Sequence, residues 1–172
     1  MAFQSTVFFQ QGFGVVGELY TDAPHKAEAF TLNSADAAYN VFGRCFTVAS
    51  QGYAQAGSGG TLGFAGFLVN PKNSPLYGTT GAPLAPSLTL PNQAPGQLLT
   101  MGTIIVALPA AAAIGDYVVF DNTTGALTTI SPGDDLPVGK TFANAIVDYY
   151  TVTAGGLAVI SVSPTYVIPQ LA

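Results

Sequence analysis

The chain has 172 residues, four basic and nine acidic, for a net charge of -5; so few cations exclude the basic footprint that a nucleic-acid backbone requires. Charged residues make up 8% and hydrophobic residues 49%, against about 25% charged in ordinary soluble domains, so the chain has the material for a core and is not a disordered one. The longest unbroken apolar run, residues 104–114, has 11 residues and contains Pro109, which is too short for the ~20 of a membrane-spanning helix.

In chain order, residues 1–17 carry no charge but hold Phe3, Val7, Phe8, Phe9, Phe13, Val15 and Val16. Such an arm is either a first strand docked on the chain's own sheet or a clamp that adds to a neighbour. No basic region precedes its apolar residues, so synthesis in the cytoplasm without a secretory leader is expected. Short runs rich in Val, Ile, Phe, Tyr and Thr, separated by Gly, Pro, Asn and Asp, predict strands at 15–20, 41–49, 62–69 and 97–107. Four more follow at 117–121, 126–130, 141–149 and 157–163. Residues 34–39 have the pattern of one helical turn capped by Ser34, and 110–113 is the best helix-forming stretch, bracketed by Pro109 and Gly115.

Residues 51–60, with four glycines, read as a flexible loop. Residues 71–96 form an extended proline-rich loop with six prolines, Pro71, Lys72 and Tyr77 among its contact candidates; prolines cannot donate to central strands. The Asp121-Asn122-Thr123-Thr124-Gly125 stretch predicts a hairpin turn, because Asn, Asp and Gly tolerate left-handed conformations. Ala154-Gly155-Gly156 predicts another, and the chain from Gly96 onward reads as an antiparallel meander with both faces apolar. The tail, 163–172, is uncharged, held extended by Pro164 and Pro169, and offers Tyr166 and Ile168. The fold class expected is all-β, an antiparallel sandwich or barrel of jelly-roll kind with long Pro/Gly-rich loops and extended termini. One domain over 1–172 is expected.

Signals for chemistry are weak. The single histidine, His25, stands in a loop pattern without a serine motif nearby. Cys45, the single cysteine, sits in an apolar strand and reads as a buried small hydrophobe. Arg44 beside it either pairs with a carboxylate or meets carbonyls across an interface. Residues 133–141 miss the phosphate-loop spacing by one position, and Asp134 and Asp135 would repel phosphate. Asp116, Asp121, Asp134 and Asp135 lack a calcium-loop pattern. No catalytic residue, cofactor or metal is expected. So little charge points instead to surface covered by copies of the chain or by a larger assembly.

Several segments taken in succession carry a resemblance. They are Gly17-Glu18-Leu19-Tyr20 with Pro24, Thr31-Leu32-Asn33-Ser34-Ala35-Asp36, and Asn40-Val41-Phe42-Gly43-Arg44-Cys45-Phe46-Thr47. Then come residues 63–72, Ser87-Leu88-Thr89-Leu90-Pro91-Asn92, Met101-Gly102 and Gly115-Asp116. This succession resembles the structural cement proteins of tailed bacteriophages. The resemblance implies a non-enzymatic capsid decoration protein on the virion exterior, made in the host bacterial cytoplasm. It implies that the chain binds the major capsid protein and itself, a homotrimer being favoured over a dimer, and binds neither nucleic acid nor membrane. The contact residues expected are Phe3, Val7, Phe8, Phe9 and Phe13 of the arm, Arg44, Pro71, Lys72, Tyr77, Tyr166 and Ile168. Alternative readings are another virion part, such as a head fibre or tail adhesion module, and a carbohydrate-binding β-sandwich, against which the absence of Trp argues. An enzyme using His25 is the most distant reading.

Overall fold

The computed structural model describes residues 14–20, 24–57, 63–70 and 89–163. Among these, nine strands follow in order: β1 (Lys26–Leu32), β2 (Cys45–Ser50), β3 (Tyr53–Ala56), β4 (Phe64–Leu68), β5 (Pro95–Leu108), β6 (Tyr117–Asp121), β7 (Leu127–Ile130), β8 (Lys140–Asp148) and β9 (Gly156–Val162). One 3₁₀ turn, Ala37–Tyr39, precedes β2.

Five strands close a barrel in the order β1-β3-β2-β4-β5, with β1 pairing back onto β5. The β1–β3 contact is parallel and the others are antiparallel. A second, wholly antiparallel sheet runs β5-β9-β8-β6-β7. The chain is all-β, as its composition and turn spacing predict.

The two parts share β5, whose 14 residues are long enough to serve both. Up to Met101 it is flanked by β1 and β4; from Gly102 it pairs with β9. Its other edge there is taken by 14–20, where the Gly17 amide donates to the Ile105 carbonyl (2.8 Å), the Ile105 amide to Glu18 (2.8 Å) and the Tyr20 amide to Thr103 (3.1 Å). This part of the N-terminal arm is therefore docked on the chain's own sheet. Gly102 stands at the changeover with φ +128, and a Cβ there would come within 2.8 Å of the His25 Cβ, so glycine answers both the backbone and the space.

Alternation along the strands separates two cores. Phe46, Leu68 and Leu98 point into the barrel. Their chain neighbours Cys45, Phe67 and Leu99 point out of it into the core of the second sheet. Cys45, Phe67 and Leu99 are also successive cross-strand partners, so one row of side chains forms the wall on which the second sheet packs. That sheet contributes Ile104, Val106, Phe120, Ala145, Val147 and Ile160, all at most 1% exposed.

Several expectations need correction. β1 lies in a stretch, Lys-Ala-Glu-Ala, whose residues are depleted in strands; pairing with β5 overrides that preference. β3 falls inside the glycine-rich 51–60 segment, because Gln51-Gly52 makes a two-residue turn between Ser50 and Tyr53, with Gly52 at φ +78. The 3₁₀ turn is capped by Asp36, whose Oδ1 accepts from the Ala38 amide, rather than by Ser34. Residues 110–113 are not helical: Ala112 bridges to Val152 and joins the second core. The part after Gly96 is not a simple meander, since β5 pairs with β9 and β8 returns to the far edge of β6. On β8, Ala143, Ala145 and Val147 are fully buried, whereas Phe142 and Ile146 on the opposite face remain half-exposed. Of the 71–96 loop, residues 71–88 lie outside the described residues; Thr89 already bridges to Val41, and β5 begins at Pro95.

Candidate contact surfaces

Arg44 ends the tight turn that leads into β2 and is half-buried. Its Nη1 donates to the Thr124 carbonyl at 3.1 Å, across from the β6–β7 hairpin. The hairpin turn is built as its residues predict. Asp121 Oδ1 accepts from the Thr124 amide (2.8 Å), the Thr123 amide (3.0 Å) and the Thr124 hydroxyl (2.9 Å). Gly125 closes it at φ +67, and any Cβ there would collide with the Cys45 carbonyl. That close approach is what brings the Thr124 carbonyl within reach of Arg44. Burial lowers the guanidinium pKa, opposed by Tyr39 and Asp121. No carboxylate of the described residues lies within ion-pair distance of Arg44; the one ion pair among them joins Lys26 to Glu28 at 2.7 Å.

Arg44 borders a mainly apolar pocket of about 330 Å³, lined also by Val16, Phe42, Leu108, Pro109 and Leu127. The pocket sits where the N-terminal segment, the barrel and the second sheet meet. A cation at the rim of an apolar recess, satisfied by one carbonyl, retains donors for a further acceptor.

A second surface is aromatic. The Tyr20 and Tyr150 hydroxyls lie 2.7 Å apart, and the Tyr20 ring stands 5.1 Å from Tyr149 and 6.1 Å from Tyr150. The hydrogen bond with Tyr150 raises the Tyr20 phenol above its ordinary pKa. Tyr149 and Tyr150 would face opposite ways on a strand. They converge because β8 ends at Asp148, whose Oδ1 accepts from the Tyr149 amide (2.8 Å), and Tyr149 turns to φ +62. Tyr149 and Tyr150 are 49% and 45% exposed, a large amphipathic area of the kind enriched at interfaces. A third surface is the β7–β8 connection, where Asp134, Asp135, Leu136 and Val138 are exposed, Val138 fully.

A buried polar network holds the return from the proline-rich stretch. The Ser34 hydroxyl donates to Asn40 Oδ1 (2.6 Å), Asn40 Nδ2 to Asn92 Oδ1 (2.8 Å), and Asn92 Nδ2 to the Ser34 carbonyl (2.9 Å). The Ser34 oxygen also accepts from the Ala56 amide (2.8 Å).

Of the eleven contact candidates named from the sequence, Arg44 falls within the described residues. Phe3, Val7, Phe8, Phe9, Phe13, Pro71, Lys72, Tyr77, Tyr166 and Ile168 lie outside them. The tyrosine patch and the exposed 134–138 stretch were not foreseen as contacts. The Tyr149-Tyr150 doublet before a Gly-rich turn, and the acidic-apolar Asp-Asp-Leu-Pro-Val run, are the signals that mark them. Cys45 is fully buried and burial raises its thiol well above the ordinary pKa, the setting of an unreactive cysteine. His25 is exposed just before β1. Among the described residues no three His, Cys, Asp or Glu side chains gather into a metal site, and no helix is long and apolar enough to cross a membrane.

A family model described as "Structural cement protein (E217 gp24/Pam3 gp6)" matches residues 3–163. Among solved structures, a chain from "The capsid of Myoviridae Phage XM1" superimposes with a TM-score of 0.62 at 18% identity, covering 95% of this chain and 99% of that one. At that identity the likeness is one of fold. No curated protein matches the chain.

Proposed function

The chain belongs to the structural cement protein family, and from that premise we propose that it binds the outer surface of a phage head as a homo-oligomer and reinforces the joints between major capsid protein subunits. At the coarser level it is a capsid-associated structural protein of the virion. The family match over residues 3–163 carries the reading.

The physical chemistry supports it. A surface with so few charges costs less to desolvate on docking, and the Arg44 pocket and the tyrosine patch offer apolar area with polar handles. A shell presents many identical sites, and an oligomer that engages several of them gains avidity of about 10²–10⁴ without a stronger single contact. A trimer at a three-fold position is favoured over a dimer at a two-fold one. Proline narrows the conformations open to an unbound chain, so docking through the proline-rich 71–96 stretch or through the tail with Pro164 and Pro169 would cost less entropy than docking through a proline-free polar tail.

Mixing the purified protein with undecorated heads, followed by an averaged map of the particles, tests the proposal. Density for this chain repeated at symmetric positions on the outside of the shell is the expected result. Heads that remain bare at saturating protein, or density confined to the tail or to a fibre, would overturn it.

A further inference from the structure

Two charged groups among the described residues, neither in an ion pair, complement one another. Arg44 is half-buried beside the apolar pocket, with one backbone carbonyl as its hydrogen-bond partner and no carboxylate within ion-pair distance among the described residues. Lys26 is paired with Glu28, and Lys140 donates to the Thr128 hydroxyl (2.6 Å). The exposed 133–138 connection holds two acids, Asp134 and Asp135, whose carboxylates accept no hydrogen bond from the described residues. Beside them stand Leu136 and Val138, both exposed. None of these loop residues lines the molecule's own pocket.

We propose that a second copy of this chain seats its 133–138 loop on the Arg44 pocket, placing an Asp134 or Asp135 carboxylate against the guanidinium and covering Leu136 with the pocket's apolar wall. The proposal rests on the homo-oligomer reading above and names its contact. The pocket asks for an acceptor next to an apolar side chain, because an anion alone would leave the apolar rim of Val16, Val41, Ala107 and Pro109 facing water. The Asp-Asp-Leu-Pro-Val run supplies both in adjacent residues. Pro137 limits the loop's freedom before binding, which lowers the entropy lost on docking. The guanidinium fork can take a carboxylate while Nη1 keeps Thr124. The two patches differ, so each copy presents one and receives the other, reciprocally in a dimer or around a ring.

Sedimentation at several protein and salt concentrations tests this with the full chain, comparing the wild type with Asp134→Lys/Asp135→Lys, with Arg44→Glu, and with all three changes together. The loop variant alters only exposed side chains, so its folding is secure even if Arg44→Glu proves unstable. Each reversal is expected to weaken self-association about tenfold or more, the triple variant to recover most of the loss, and added salt to weaken the wild type. A wild type that is monomeric throughout would remove the homo-oligomer reading, and this contact with it. A wild type that associates while the loop variant associates equally well would overturn the contact and leave that reading standing. Weakening by the loop variant without recovery in the triple variant would show that the loop meets something other than Arg44, and would also overturn it.

Discussion

Leu98 and Leu99 are adjacent in β5, both fully buried, and lie in different cores. Leu98 pairs with Leu68 inside the barrel; Leu99 pairs with Phe67 on the wall that faces the second sheet. A single peptide unit thus separates two hydrophobic interiors, and both depend on the register of β5. Replacing either leucine by alanine should cost about 2–5 kcal/mol through lost burial and a residual cavity. Because the two side chains face different cores on opposite sides of β5, the double variant should lose about the sum of the two single losses. Urea unfolding of the four proteins measures this, and a markedly smaller combined loss would mean that the interiors are not separate.

Gly102 lets β5 leave the barrel and enter the second sheet. Gly102→Ala places a Cβ at φ +128 and against His25, for an expected loss of about 1–3 kcal/mol. The companion Gly102→Ala/His25→Gly, which removes the opposing Cβ, should recover the steric part and leave the backbone part. Thermal melts of both variants distinguish the two; an unchanged midpoint in Gly102→Ala would deny the changeover its structural role.

Asn92 serves three hydrogen bonds at once, accepting from the Ser34 amide and from Asn40 and donating to the Ser34 carbonyl. Asn92→Ala leaves Asn40 and Ser34 unsatisfied at the barrel end, at a cost of about 1–3 kcal/mol for each buried group stranded. Hydrogen exchange should show faster amide exchange at Ser34 and at Ala56, whose amide donates to Ser34. Unchanged exchange at both would contradict the network's role as an anchor.

Asp121 titrates below its ordinary value of 3.8, chiefly because it accepts from the Thr124 amide, aided by the Thr124 hydroxyl, the Thr123 amide and Lys140 and opposed by burial. A carboxylate favoured in the folded state contributes fully above its ordinary pKa and loses that contribution as pH falls through the lower, folded value. Asp121→Asn mimics the protonated form. The wild type should therefore melt higher than Asp121→Asn at neutral pH, and the gap should close below the ordinary carboxylate pKa. A gap that stays constant into acid would place the effect elsewhere than in the charge.

Much of the second sheet could be read along the chain. Residues 117–121 match β6 as predicted, and β7, β8 and β9 differ from their predicted spans by a residue at one or both ends. Their signals are local: β-branched and aromatic runs ending in Asp-Asn-Thr-Thr-Gly or Ala-Gly-Gly turns. β1 and β3 were hidden because their evidence is not local. Lys-Ala-Glu-Ala has no strand preference, and Tyr-Ala-Gln-Ala is flanked by glycines; both become strands through partners far along the chain. Arg44 was legible as a contact candidate, but the sequence left open whether a carboxylate or a carbonyl would meet it. Within the molecule that partner is the Thr124 carbonyl, 80 residues away. The tyrosine patch depends on the left-handed turn at Tyr149, which no spacing rule announces for a tyrosine.

The amino-acid order alone determined a charge-poor β protein, its hairpin turns and its likeness to a capsid family, because composition, turn chemistry and two-residue alternation act over a few neighbouring residues. Tertiary structure decided that β5 serves two sheets, that a barrel closes through β1, and which ionic groups remain available to a partner. Those outcomes depend on hydrogen-bond register and burial between segments distant in the chain, and such pairings carry no signature in any one stretch.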